Sequence, residues 1–332
     1  MATSLEIVPL EDKHIEEAAV LVSARYRALR EDVPLLPSRY EDAGTILPLV
    51  RDLAGQASGV AAIRGGRLAG FLLGFVIPEF QGKRSVFSPE WANGADEEDS
   101  RRIYQEMYAH LSARWVADGC FTHLVSLLAD DRDAIDGWEW LGFGFIAADA
   151  VRDLEPVHGP VADVDVRRAG LEDVEQAMAL DEALQQHMAA APTFFPHDEE
   201  HDRGFHEEWL GNPAHALWLA YHGPEAVACM GLGPASTDAC TVIRDEETTS
   251  IVSAFTSERV RGRGIATALL NRSLDWARSE GYERCAVDFE PMNVLAARFW
   301  MRYFQPVCYS LVRYVDERIG WANGRQADGD LW

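Results

Sequence analysis

One segment of the chain, residues 259–266 (RVRGRGIA), combines glycines and arginines at a spacing that suits the binding of an anion. It follows a stretch rich in β-formers, residues 251–256, and precedes apolar residues that recur at helical spacing as far as about Glu280. Gly262 and Gly264 allow the backbone to adopt positive φ and to approach a ligand closely, and the free amides of a helix start attract negative charge. The segment therefore predicts a phosphate or pyrophosphate site where a strand meets a helix.

The elements around this segment narrow the prediction. The third glycine of a dinucleotide fingerprint and the G-K-[ST] ending of a P-loop are both missing, whereas an R-x-x-G-x-G signature begins at Arg259. A strand at residues 285–290 and an N-x-x-A helix from Asn293 follow. An alternative interpretation is that the glycines only cap a helix and that the arginines are solvated. It would explain the glycines, but not the succession of strand, glycine turn, helix, strand and N-x-x-A helix. On these residues the segment 164–315 resembles the GNAT superfamily of acetyl-CoA-dependent N-acetyltransferases.

The resemblance implies acetyl-CoA as the cofactor. Its pantetheine arm would lie along the strand that ends at Thr256, and its pyrophosphate would lie on the amides of residues 261–266. A backbone N–H near Phe255 or Thr256 would stabilise the oxyanion that forms during acyl transfer. The cofactor-binding residues expected from the resemblance are Phe255, Thr256, Arg259, Arg261, Gly262, Arg263, Gly264, Ile265, Ala266, Asn293 and Phe299.

The catalytic residues are expected on the strand and helix that follow the turn. Alternation along the strand places Asp288 and Glu290 on one face, so either could act as the base or anchor the substrate ammonium, or could be a structural carboxylate. The family often uses a tyrosine seven positions after the asparagine to reprotonate the leaving thiolate, but Trp300 stands there. Tyr303, one turn further along, could supply that proton or could be a core residue.

The acceptor is expected to contact a more variable region between the first helix of this segment and its hairpin. The candidates there are Phe194, Phe195, His197 and Trp209. Histidines at 197, 201 and 206 suggest metal ligation, but the zinc-protease pattern needs Glu directly after the first histidine and Asp198 stands there. We therefore predict a solvated loop or a helix start, and no metal.

The order of elements occurs twice, at a shift of about 160 residues. Residues 7–18 resemble 166–177, residues 60–76 resemble 216–232, and Trp138 falls on Trp300. We predict an α/β (α+β) protein of two tandem GNAT folds, each a mixed central sheet flanked by helices. The expected domains are 1–157 and 158–320, with a tail at 321–332.

The first copy lacks the glycine turn, because its corresponding residues are Glu97, Glu98, Asp99 and Ser100. Carboxylates at that place would repel a pyrophosphate. The first domain is therefore expected not to bind acetyl-CoA in the usual way, and to have a structural role or to form one wall of a substrate cleft.

The composition restricts the partners. The 332 residues include 54 acidic and 30 basic side chains, a net charge of −24, which disfavours nucleic acid and favours a cationic acceptor, although solubility alone would also explain it. The chain shows no signal peptide, membrane anchor or cysteine-pair framework, so we predict a cytoplasmic monomer or homodimer with no membrane partner.

These observations predict an acyltransferase whose C-terminal domain transfers an acetyl group from acetyl-CoA to a primary amine, with a small molecule as the expected substrate. Two alternatives stay open. One is a mycothiol-synthase-like acetyltransferase, which is similar in its tandem layout. The other is a non-catalytic acyl-CoA-binding sensor or scaffold, which the tryptophan at 300 would permit.

Overall fold

The computed structural model describes residues 4–159, 164–196, 201–235 and 240–320. They form two compact units. The first comprises the described residues of Met1–Ala148, Cys240–Val242 and Val307–Trp332, and the second those of Asp149–Ala239 and Ile243–Pro306.

The strands and helices alternate in the same way in both halves of the sequence. The strands are β1 (Leu5–Pro9), β2 (Ser58–Arg64), β3 (Arg67–Phe80), β4 (Lys83–Ser88), β5 (Asn93–Ala95), β6 (Thr122–Leu128), β7 (Gly144–Asp153), β8 (Asp165–Arg168), β9 (Ala216–His222), β10 (Glu225–Pro234), β11 (Thr248–Thr256), β12 (Arg284–Phe289) and β13 (Gln305–Tyr314). The helices are α1 (Asp12–Asp32), α2 (Ala43–Ala54), α3 (Ser100–Ala117), α4 (Arg132–Trp140), α5 (Val174–Ala189), α6 (Arg203–Gly211), α7 (Ile265–Ser279) and α8 (Val294–Tyr303).

Each unit contains a mixed sheet with one parallel pair at an equivalent place. In the first unit the strand order is β1-β2-β3-β4-β6-β13, with β5 on β3; β4 and β6 run parallel, and the other neighbours in this order run antiparallel. In the second unit the order is β8-β9-β10-β11-β12; β11 and β12 run parallel, and the other neighbours in this order run antiparallel. Helices flank both sheets, so the predicted fold class is confirmed.

The units do not follow the contiguous domains expected from the sequence. The N-terminal segment of the first unit ends at Ala148 rather than near residue 157, and the end of β7, from Asp149, belongs to the second unit. Strand β13, which closes the second sequence repeat, pairs antiparallel with β6 of the first unit, for example Cys308 with Leu128. A strand's own sequence does not specify its distant partner, so the repeat pattern could not place β13. The predicted tail at 321–332 lies outside the described residues.

Amphipathic helices and apolar strands build the core of each unit. In the first, Ile103, Met107 and Leu111 recur along α3 and pack with Trp138 and Leu311. In the second, Ala177 and Leu180 of α5 pack on alternate residues of β9, namely Leu217, Leu219 and Tyr221. All five cysteines are buried and none forms a disulfide. Within the described part of the chain, no helix has the length and apolarity needed to cross a membrane.

Candidate active site

Strands β11 and β12 pair over only part of their length. The parallel register runs from Thr248 opposite Arg284 to Ile251 opposite Val287. A bulge follows in β11, because Leu232 of β10 pairs with Ile251 whereas Gly231 pairs with Ser253. Beyond the bulge, the last residues of β11 keep only β10 as a strand partner, so their other edge is open to an extended ligand.

The glycine turn joins the open end of β11 to α7. Gly262 and Gly264 have φ of 76° and 80°, values that favour glycine. A Cβ atom at position 262 would have no other atom within 4 Å, so there is room for a side chain. The positive φ, which other residues rarely adopt, is therefore the reason for glycine at this position. Gly264 is the N-cap of α7, and the first intrahelical bond runs from the Ala268 N–H to the Gly264 carbonyl. The N–H groups of the first turn therefore remain available to an anion.

A cavity of about 420 Å³ lies in the second unit, at this junction. Its wall combines α5, β10, the open end of β11, the glycine turn, the first turn of α7 and α8. Nine of the eleven residues predicted to bind the cofactor line it: Phe255, Thr256, Arg261, Gly262, Gly264, Ile265, Ala266, Asn293 and Phe299. The structure thus brings together a strand edge, helix-start amides and a largely apolar wall.

The other two predicted cofactor residues lie outside the cavity wall. Arg259 pairs with Glu225 at the surface, and Arg263 is exposed on the turn. Arg261 is held at the cavity, because its Nε donates to the Thr256 carbonyl oxygen over 2.9 Å. Its guanidinium also lies 6.0 Å from the centre of the Phe255 ring.

Helix α8 begins with a cap that faces the cavity. The side chain of Asn293 accepts a hydrogen bond from the Ala296 N–H over 3.4 Å, and its amide Nδ2 lies 3.5 Å from the Met188 sulfur. Asn293 is 7% exposed. Its capping bond therefore fixes a polar side chain in the cavity wall.

Of the three predicted catalytic residues, only Tyr303 lines the cavity. Its hydroxyl lies 3.5 Å from Thr267 Oγ1 and 3.5 Å from the His158 carbonyl oxygen. Asp288 lies on β12, and Glu290 directly follows that strand; neither contributes to the cavity wall. Burial raises the pKa of the Glu290 carboxyl above its usual range, which makes it a better proton acceptor than an exposed carboxylate.

The cavity wall also contains residues that the sequence reasoning missed. His187 of α5 lines it, with its ring centre 6.2 Å from that of Phe255. Arg298 and Arg302 of α8 line it as well. The sequence shows that His187 follows Leu184 by three residues and that Arg298 and Arg302 are four residues apart, spacings that place residues on one side of a helix. It does not show which side of each helix lies against the cavity. Cys229 also lines it; burial raises the pKa of its thiol to about 12, so the thiol stays protonated at neutral pH.

The predicted acceptor residues are not part of this wall. Phe194 is 70% exposed, whereas Trp209 stacks on His215 with ring centres 4.6 Å apart. Phe195 lies in the turn after α5, where its N–H donates to the Met188 carbonyl oxygen. His197 lies outside the described residues.

Two further histidines of that region share a carboxylate. His201 Nδ1 lies 2.9 Å from Asp181 Oδ2, and His206 Nε2 lies 3.5 Å from the same oxygen. His206 is on α6, whereas His201 precedes it, so the helix start expected here is present.

Residues 180–304 match the model of a family described as the acetyltransferase (GNAT) family. Among solved structures, a GCN5-related N-acetyltransferase from Sphaerobacter thermophilus is similar over 93% of this chain and 95% of its own, with a TM-score of 0.57 and 15% identity. A fungal multi-domain GH3 β-N-acetylglucosaminidase with a GCN5-related glucosamine N-acetyltransferase region is similar over 94% of this chain and 38% of its own (TM-score 0.51, 12% identity). At such identities the likeness concerns the fold. No curated protein sequence matches the chain significantly.

Proposed function

We propose that the domain at residues 180–304, which matches the model of the acetyltransferase (GNAT) family, makes this protein an acyltransferase that transfers an acetyl group from acetyl-CoA to an amine. The observation that carries the proposal is the 420 Å³ cavity, which joins an open strand edge to the free amides of a helix start. These are the two features that an extended arm ending in a pyrophosphate requires.

The residues of the cavity fit acetyl-CoA part by part. The amides of the turn from Gly262 to Ala266 would hold the pyrophosphate, and the open edge of β11 at Phe255 and Thr256 would hydrogen-bond the pantetheine arm. Bound acetyl-CoA supplies a thioester whose carbonyl carbon an amine can attack. Apolar side chains beside that carbon would limit the access of water and so protect the thioester from hydrolysis.

The acceptor is proposed to be a small molecule with a primary amine. The net charge of −24 supports a cationic acceptor, since the average field attracts ammonium groups and repels polyanions. An amine attacks only in its neutral form, so a proton must leave it before acyl transfer. Glu290, with its raised pKa, is proposed as the acceptor of that proton through water, with Asp288 and the cavity-lining His187 as the other candidates.

Tyr303 is proposed to return a proton to the leaving thiolate. It is the one tyrosine in the described cavity wall, and Trp300, at the position where the family often has a tyrosine, carries an indole that cannot act as an acid at neutral pH. The Tyr303 hydroxyl has two weak contacts of 3.5 Å, which leave it able to reorient toward a ligand.

The test is the release of free CoA from acetyl-CoA by the full-length protein, followed with a thiol reagent across a panel of primary amines. We expect release that rises with one or more amines. With Glu290→Gln, the fall in rate that accompanies protonation of Glu290 at low pH should disappear from the pH profile. If acetyl-CoA binds but no amine increases CoA release, the protein is an acyl-CoA-binding sensor and the proposed reaction is wrong.

A further inference from the structure

Two arginines of α8, Arg298 and Arg302, line the cavity. Arg298 and Arg302 are four residues apart, so they lie on the same side of the helix, and both line the cavity while remaining exposed to solvent. Arg302 lies over the ring of Tyr303 at 5.4 Å, and Arg298 has no hydrogen bond or ring contact with any residue described.

Neither arginine has a carboxylate partner in the part of the chain that the structure describes, although both lie in the wall of the cavity. Acidic side chains outnumber basic ones by 54 to 30, and some arginines of the second unit are paired: Arg259 with Glu225, Arg278 with Asp275, and Arg284 with three carboxylates. Arg261, in the cavity wall, has no ionic partner among the described residues either. Among the residues that the structure describes, neither Arg298 nor Arg302 has an ionic partner. Two guanidinium groups without carboxylate partners in the wall of one cavity give that wall a local positive charge, which favours an anionic ligand group.

The two arginines lie close to the glycine turn, but on a different element. The 3.5 Å contact between the Tyr303 hydroxyl and Thr267 Oγ1 places the last turn of α8 beside the first turn of α7. The helix-start amides can satisfy a pyrophosphate. CoA carries one further phosphate, a monoester on the ribose, which bears close to two negative charges at neutral pH. Guanidinium groups bind such a group through paired, charge-assisted hydrogen bonds.

We propose that Arg298 and Arg302 bind the ribose 3′-phosphate of CoA and make this site select CoA over dephospho-CoA. The inference rests on the proposed function, because it requires CoA in the cavity. It goes beyond that function by assigning two residues outside the turn to a group that takes no part in acyl transfer. The positively charged wall of the site then comes from α8 as well as from the glycine turn.

The test compares the binding of CoA and dephospho-CoA to the full-length protein by calorimetry. The two ligands differ only in the 3′-phosphate. We expect the wild-type protein to bind CoA about tenfold or more tightly than dephospho-CoA, a typical value for a charge-assisted hydrogen bond. In the double variant Arg298→Ala/Arg302→Ala the preference should fall to about twofold or less, while the affinity for dephospho-CoA stays within about twofold of wild type.

Arg272→Ala is the control. Arg272 is an exposed arginine of α7 outside the cavity wall, and its replacement removes one positive charge, as does each of the two substitutions in α8. It should leave the preference unchanged. Equal affinity of the wild type for the two ligands would overturn the inference, and so would an equal loss of both affinities in the double variant. A wild-type protein that binds neither ligand would contradict the proposed function itself, which is a distinguishable result.

Discussion

The helices α3 and α7 occupy equivalent places in the two units and begin in different ways. Both end before a glycine of positive φ, Gly119 and Gly281, which are 162 residues apart. From that shared end, α3 extends over 18 residues and α7 over 15. The extra turn of α3 therefore occupies the positions that hold the glycine turn in the second unit, and the first unit has no turn that could bind a phosphate there.

The charges at the two helix starts are also opposite. In the first unit Arg25 lies 2.6 Å from Glu97 and 3.4 Å from both Asp130 and Asp131. Arg25, Asp130 and Asp131 are largely buried, whereas the Glu97 side chain is exposed. In the second unit Arg259 and Arg261 stand at the positions of Glu97 and Asp99, and Arg261 lines the cavity. The comparison shows that the same helix start can be closed by its own ion pairs or left positive for a ligand.

The space beside the central strands is filled in one unit and empty in the other. Asn93 Nδ2 donates to the Ser126 carbonyl oxygen of β6 over 3.0 Å, and the Tyr104 hydroxyl donates to Asn93 Oδ1 over 2.9 Å. This network leaves a cavity of only about 20 Å³, against about 420 Å³ in the second unit. At a shift of 162, Ala266 stands where Tyr104 does. The buried ring of Tyr104 thus fills the space in the first unit that corresponds to the cavity beside Ala266 in the second unit.

The largest effect is expected when the turn of the second unit receives the residues of the first. The double variant Arg261→Asp/Gly262→Ser gives the cavity wall the two residues, Asp99 and Ser100, that stand at the corresponding positions of the first unit. We expect the affinity for acetyl-CoA, measured by calorimetry, to fall at least a hundredfold, because a carboxylate faces the pyrophosphate and the residue at 262 loses its glycine. Arg272→Asp makes the same charge reversal outside the cavity and should change affinity about twofold or less. Wild-type affinity in the double variant would show that the turn is not the cofactor site.

A smaller loss is expected from filling the cavity without changing its charge. Ala266→Tyr places a ring where Tyr104 lies in the first unit, so acetyl-CoA should bind about tenfold to fiftyfold more weakly, as measured by calorimetry. Ala266→Ser keeps the volume small and should bind like the wild type. If the tyrosine variant binds normally, cavity volume is not what separates the two units.

The smallest effect is expected at the caps of α4 and α8, where Asp131 and Asn293 are equivalent. Both accept a hydrogen bond from the N–H three residues later, of Ala134 or Ala296. Asn293→Asp keeps the cap but adds a negative charge to the cavity wall, so the affinity for acetyl-CoA should fall about fivefold with little change in the unfolding midpoint in urea.

The reverse substitution at the equivalent cap of the first unit, Asp131→Asn, tests the role of that residue in stability. Asp131→Asn also keeps the cap, but it removes a carboxylate from the Arg25 cluster. It should lower the unfolding midpoint and leave cofactor affinity unchanged. Equal effects of the two substitutions on cofactor affinity would contradict the division of roles between the units.

Local patterns in the sequence predicted much of the fold and the centre of the site. The repeat of elements and the strand–turn–helix around Gly262 and Gly264 depend on local residue order, and the structure contains them. Local order did not identify His187, Arg298 or Arg302, because the face that a helix turns to a cavity depends on its packing. It also did not place Asp288 and Glu290 relative to the cavity wall.

The sequence by itself determined that this protein has two related halves and that only the second has a glycine turn with arginines. These are consequences of backbone preference and local charge, which act over a few residues. Only the tertiary structure decided that β13 completes the sheet of the first unit, that Tyr104 and Asn93 fill the first site, and that α8 supplies arginines to the second. Those outcomes depend on contacts between residues far apart in the chain, where volume and pairing are decided by the assembled core.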